Sequence, residues 1–342
     1  MAILQYDDFR GYAVADITRV WDQQVLAGTI SLTGGRNNGA YWTTGTTGNT
    51  YALKTPAFTA AQSTTVGFGF YNVVPGGIAT ENIIQWQDAA TVQSALSLNA
   101  DRTLSITRGT GTAVTDGTSV SSLADNTWYW IEVTMQIADS IGAGSVIVKV
   151  NGVTWITVAT GQDLKTTANA TCNQIAFGKF IGNGSAIQFR FADVFMTNGT
   201  TFLGDSTVST LAVTGDGTTQ NFASTETPHW NSVDEASSDD DTTYVSDSVA
   251  NEIELFTMAN LAVSPLTIHA VSPWNLLRKT DAGAKTAAAV VRSGTTNYVQ
   301  ANYAVTDTYK YDRPILETDP DTAVAWTESG VNAIEAGVKV IA

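Results

Sequence analysis

Apolar and polar positions alternate most regularly between Trp128 and Val158. In Trp128–Ile137, Ile131, Val133, Met135 and Ile137 are apolar while Glu132, Thr134 and Gln136 are polar, the period of a half-buried strand with one wet face. Asn151-Gly152 joins two further alternating runs, and this dipeptide favours a two-residue hairpin because both residues tolerate positive φ. Such a loop sets Val150 opposite Val153, Val148 opposite Trp155 and Val146 opposite Thr157. Val146, Val148, Val150, Val153 and Trp155 then share one face, predicted to be core.

The same pattern predicts strands at Val25–Leu32, Tyr51–Lys54, Thr64–Val73, Asn82–Gln87, Ala95–Asn99, Thr103–Thr107, Gln174–Lys179 and Ala186–Met196. Turn residues such as Val74-Pro75-Gly76-Gly77 separate them, and Asn99-Ala100-Asp101-Arg102 makes a second hairpin between Leu96/Leu98 and Leu104/Ile106. Asp16–Gln24 fits one or two helical turns. The pattern stops at Thr197–Thr201, which divides the chain into domains 1–200 and 201–342.

The second domain has an alternating run at Val208–Val213, opens with Thr214-Gly215-Asp216-Gly217-Thr218 and carries an acidic stretch over Val233–Asp247. Strands are expected at Ile253–Met258, Leu266–Ser272, Ala287–Arg292, Thr296–Val299 and Ile315–Glu317. Thr327 can cap a short helix with Val331 and Ile334 on one face, and Gly337–Val340 should tie the C-terminus into a sheet. The fold class is all-β.

Composition sharpens this. Charged residues make up 14% of the chain and hydrophobic ones 43%, with nine Trp and twelve Phe, which suits short strands around ample cores. Net charge is −15, from 17 basic and 32 acidic residues, which argues against nucleic-acid and anionic-lipid partners. One cysteine, Cys172, rules out an intrachain disulfide framework. MAILQYDDF lacks the basic and apolar regions of a signal peptide, and nowhere do eighteen apolar residues run together, so a soluble product made in a cytoplasm without membrane insertion is expected.

Leu96–Leu104, Asn126-Thr127-Trp128-Tyr129-Trp130-Ile131-Glu132 and Val148–Val153 together resemble the concanavalin A-like (laminin G-type) jelly-roll domain of tailed-bacteriophage structural proteins. The likeness covers roughly residues 1–200. Phe202-Leu203-Gly204-Asp205, the Asp-rich Asp240–Val245 and Trp326-Thr327-Glu328 resemble the segments that follow this domain in such proteins. The resemblance implies an N-terminal concanavalin A-like jelly-roll sandwich, a smaller β-rich attachment domain, assembly or host contact, and location in the virion. It leaves capsid, collar, tail and fibre open.

Catalysis finds few parts. Jelly-roll glucanases place carboxylates in an E-x-D-x-x-E spacing, whereas Glu132 is followed by Thr134 and Gln136, so it reads as structural. His229, His269 and Cys172 are too few for a structural zinc site, no G-x-S-x-G elbow occurs, and His269 reads as a structural strand residue. Nothing basic adjoins Cys172 to activate it. No cofactor is expected. Ca²⁺ is the better metal hypothesis, with Asp239-Asp240-Asp241 as candidate, but the run lacks D-x-D-x-D-G spacing and a solvated acidic loop is favoured. Gly109–Gly111 and Gly182–Gly184 read as hairpin loops. Trp42 and Trp86 are the candidate glycan contacts, weighed against plain core aromatics.

The sequence therefore points to a non-enzymatic virion structural protein. Its partners are other virion proteins and further copies of itself, with a trimer the first choice. A glycan-binding adhesin that recognises host surface polysaccharide is the alternative. A polysaccharide-degrading tail enzyme is the weaker one.

Overall fold

The structure, a computed structural model, describes residues 1–25, 28–46, 50–73, 79–139, 144–180, 187–262, 264 and 267–342. It is all-β and divides into two compact units, Met1–Val208 and Ser209–Ala342. The expected turn at 74–77 and the loop at 182–184 lie outside the described residues.

The first unit contains β1 (Ile3–Asp7), β2 (Gln23–Val25), β3 (Thr29–Ser31), β4 (Tyr41–Thr43), β5 (Tyr51–Lys54), β6 (Ser63–Val73), β7 (Glu81–Asp88), β8 (Thr91–Leu98), β9 (Thr103–Arg108), β10 (Thr112–Ser122), β11 (Trp128–Gln136), β12 (Ser145–Val150), β13 (Val153–Val158), β14 (Gln174–Lys179) and β15 (Gln188–Asn198). One sheet runs β13-β12-β11-β6-β15-β4-β3 with β1 beside β15, and the other runs β10-β9-β8-β7-β14-β5-β2. Their inner faces pack into a sandwich, as the Phe68–Phe177 and Phe177–Phe191 ring contacts at 5.9 and 6.0 Å show. The N-terminal residues close one margin of this core. There a 3₁₀ turn at Val14–Arg19 brings Trp21 to Asp7, whose buried carboxylate accepts from Trp21 Nε1 at 2.7 Å, from Phe9 N at 2.8 Å and from the Tyr12 hydroxyl.

Two features of the central stretch differ from expectation. The Asn-Gly turn forms, with Asn151 at φ 47° and Val150 opposite Val153, but Val148 pairs with Ile156 and Val146 with Val158. Trp155 is the extra residue of a β-bulge, which reverses the alternation beyond it. Ile156 and Val158 are therefore the core residues, whereas Trp155 is half-buried and Val153 is 62% exposed. Nor is the polar face of β11 wet. Glu132 and Thr134 are buried, Glu132 beneath the backbone of Leu203 and Gly204 where residues 202–208 run back over the sheet. The same segment belongs to the first unit: the carbonyl of Ser206 accepts from Arg36 Nη1 at 2.8 Å, and Val208 N donates to Asp193 Oδ1 at 3.1 Å.

The Asn99–Arg102 hairpin is as expected, Leu98 facing Leu104 and Leu96 facing Ile106. Beyond it lies β10, a strand the periodicity did not suggest because Thr, Ser and Asp fill it.

The second unit contains β16 (Val213–Gln220), β17 (Ala223–Ser224), β18 (Val245–Ser246), β19 (Ile253–Met258), β20 (Asn275–Leu277), β21 (Lys285–Ser293), β22 (Thr296–Val299), β23 (Tyr303–Val305), β24 (Lys310–Asp312), α1 (Glu328–Val331) and β25 (Glu335–Val340). Its main sheet runs β16-β19-β25-β21-β22, with β23 beside β21. Thr214–Thr218 lies within β16. No strand forms at 267–270. Val271 and Leu316 make only an isolated bridge, so His269 is half-buried outside any strand. Thr327 caps α1 by accepting from Gly330 N at 3.0 Å, and Val331 and Ile334 are buried beside Trp326. The C-terminal strand β25 lies inside the sheet, paired with both β19 and β21.

Candidate functional site

The two tryptophans singled out as glycan contacts are both fully buried. Alternation explains this. Trp42 points inward beside Phe191, at 5.9 Å between rings, and Trp86 points inward to donate its Nε1–H to Thr64 Oγ1 at 2.9 Å. Neither offers a face to a ligand.

Their outward neighbours do. On the outer face of the first sheet, Trp128 of β11 lies opposite Tyr71 of β6, and Tyr71 lies opposite Arg190 of β15. Tyr41 of β4 stands diagonally beside Arg190, which pairs with Thr43. All four side chains are half-buried. The Trp128 ring lies 5.2 Å from Tyr71 and 5.9 Å from Tyr41, and the Arg190 guanidinium sits 4.7 Å from the Tyr71 ring centroid and 4.8 Å from that of Tyr41. The result is a continuous platform of three aromatic rings around one cation. Sequence periodicity carried a signal for it, since Tyr41 adjoins Trp42 and Tyr71 adjoins Phe70, each inward aromatic having an outward aromatic neighbour.

Beside the platform the outer face is covered where Phe195 and Arg36 lie against it. Gly69 and Gly67 of β6 lie opposite Trp130 and Glu132, and a Cβ on Gly67 would come within 2.2 Å of the Phe195 ring. That space lets Phe195 lie against Trp130 at 5.8 Å, with the Arg36 guanidinium 4.6 Å from the Trp130 ring centroid. Arg36 pairs with Asp193 at 3.0 Å and with Asp205. Burial pushes the Asp193 carboxyl up to about 6, against the opposing effects of Arg36 and the Val208 N–H. Glu132 Oε1 accepts from the backbone N–H groups of Leu203 and Gly204, both at 3.0 Å. It is a clamp for residues 202–208.

On the second sheet, a hollow of about 260 Å³ is lined by Asn82, Ser97, Asn99, Ser105, Thr107 and Thr110 among others. Several of these groups satisfy each other: Ser97 Oγ donates to Asn82 Oδ1 at 2.7 Å and Ser105 Oγ to Asn99 Oδ1 at 3.1 Å. The hollow has no aromatic ring in its lining.

The acidic run is divided between different partners. Asp239 accepts from Thr243 N and Oγ1, at 3.3 and 2.9 Å, while Asp241 pairs with Arg278 at 2.7 Å and accepts from the Tyr309 hydroxyl at 2.9 Å. Among the described residues no three His, Cys, Asp or Glu side chains converge to hold a metal ion. Cys172 is buried, and burial pushes its thiol up to about 12. His229 Nδ1 lies 2.8 Å from Oε1 of the buried Glu254, whose Oε2 accepts from Phe222 N at 2.9 Å. Among the described residues no helix is long and apolar enough to cross a membrane.

No protein-family model matches the chain, and no curated protein matches its sequence. Solved structures similar to it include a cellulose-induced protein, Cip1, at 12% identity and a TM-score of 0.40, covering 52% of this chain and 88% of that one. The alginate lyase Aly36B is 10% identical with a TM-score of 0.39, over 58% of this chain and 96% of that one. A PL-14 alginate lyase from Aplysia kurodai is 10% identical with a TM-score of 0.34, over 51% and 82%. Likenesses this distant assign neither activity nor ligand.

Proposed function

We propose that the first unit binds a polysaccharide on the platform of Trp128, Tyr71, Tyr41 and Arg190, and that the chain is a non-enzymatic structural protein of a tailed-phage particle. The platform carries the binding half of this reading: half-exposed aromatic rings match the apolar faces of pyranose rings, with a hydrogen-bond donor in their midst. The absence of catalysis is supported by Glu132, which is enclosed, bound to two backbone N–H groups and followed by Thr134 and Gln136 where further carboxylates would be needed. The virion half rests on the resemblance of both halves of the sequence to phage structural proteins. Assembly into homo-oligomers, a trimer first, belongs to the same reading.

A glycan array of bacterial surface polysaccharides, with W128A and Y71A beside wild type and reducing ends measured on every hit, tests the binding half. Wild type should bind without releasing reducing ends, and W128A should lose on the order of tenfold in affinity. Silence on the array, unchanged W128A binding or released reducing ends would overturn it. Immunogold electron microscopy of intact particles tests the virion half, and light scattering tests the trimer.

A further inference from the structure

We infer that the ligand of this platform is an anionic polysaccharide and that Arg190 reads its charged groups, an inference resting on the glycan-binding reading above. Seven of the eight other arginines, at 10, 19, 36, 102, 108, 278 and 292, each have an Asp or Glu within 4.0 Å. Arg190 has no carboxylate partner among the described residues, although the chain holds 32 acidic residues against 17 basic ones. Its Nε is enclosed without a hydrogen-bond partner, and two tyrosine rings hold the group in place. Ring quadrupoles stabilise a cation without neutralising it. The charge is therefore fixed, partly desolvated and uncompensated, at the centre of the face where a sugar would stack.

A planar guanidinium donates a fork of N–H groups that fits a carboxylate, sulfate or phosphate with two parallel bonds. Neutral pyranoses offer no such acceptor. The net charge of −15 does not oppose this at close range, since exposed charges farther than about 8 Å are largely screened at physiological ionic strength.

The test is titration calorimetry on the full chain with polygalacturonate oligomers, their carboxyl-reduced neutral counterparts, dextran sulfate and a phosphodiester-linked teichoic acid. Wild type should bind at least one anionic polymer on the order of tenfold or more tighter than the neutral oligomers, and R190Q should lose far more affinity for that polymer than for the neutral oligomers, erasing the preference. R190K, which keeps the charge without the fork, should fall between. Which polymer binds tightest identifies the anionic group. Equal affinity for acidic and neutral oligomers, or a preference that survives in R190Q, overturns the assignment of Arg190 while leaving glycan binding intact. Should R190Q not fold, the acid-to-neutral contrast in wild type and in R190K still decides. If wild type binds none of these polymers and the array is silent, the glycan reading itself fails and this inference with it.

Discussion

Replacing Glu132 separates a structural carboxylate from a catalytic one. The side chain is 1% exposed, and its Oε1 takes both the Leu203 and the Gly204 N–H at 3.0 Å. Hydrogen bonds to a charged group contribute about 1.5–3 kcal/mol each, and these donors are only partly buried, so water recovers some of the loss in E132A. The net cost should be about 2–4 kcal/mol. In E132Q the amide oxygen can occupy the Oε1 position and keep both bonds without the charge, so about half that cost is expected. For a unit of this size each kcal/mol lowers Tm by about 2–4 °C, which places E132A roughly 5–15 °C below wild type with E132Q between them. Differential scanning calorimetry measures this, alongside reducing-end release from any polysaccharide that binds. An E132A protein that melts with wild type would refute the clamp. Release of reducing ends by wild type but not by E132Q would show that the carboxylate is catalytic.

Further predictions follow from the same contacts. I156A should cost about 2–5 kcal/mol and W155A clearly less, and chemical denaturation that ranked them the other way would restore the unbulged register. Removing residues 337–342 deletes most of a strand bonded on both sides, so the second unit should lose protease resistance and its cooperative melting transition. Burial raises the folded-state Asp193 pKa from 3.8 to about 6, so the stability that the neutral carboxyl contributes is fully present below about pH 4 and is lost as pH rises through 6. The Tm difference between wild type and D193N should therefore fall across that window, and a difference that stayed flat or rose would contradict the direction of the shift.

Local signals carried much of the fold. The Asn-Gly turn, the Leu96/Leu98 hairpin, the Thr327 cap and the C-terminal strand all form where short-range chemistry set them. Misplacements arose where distant residues decide. Val153-Thr154-Trp155-Ile156-Thr157-Val158 offers apolar residues in both phases, and only packing against the second sheet selects Ile156 and Val158. The polar side of β11 looks wet until residues 202–208 are laid across it, a contact about seventy positions away in the chain. The candidate site was the least legible part. Trp42 and Trp86 drew attention as aromatics near polar neighbours, but period-two alternation turns both inward and turns Tyr41 and Tyr71 outward. Bringing Tyr41, Tyr71, Trp128 and Arg190 side by side needs the strand order β11-β6-β15-β4, which no local pattern encodes.

The most direct test of the binding site is a crystal structure of the chain with its tightest-binding oligosaccharide. A pyranose ring stacked within about 4 Å of Trp128 and Tyr71, with an anionic group on the Arg190 guanidinium, is the predicted result. An oligosaccharide ordered in the hollow between Asn82 and Ser105, with the platform bare, would contradict it.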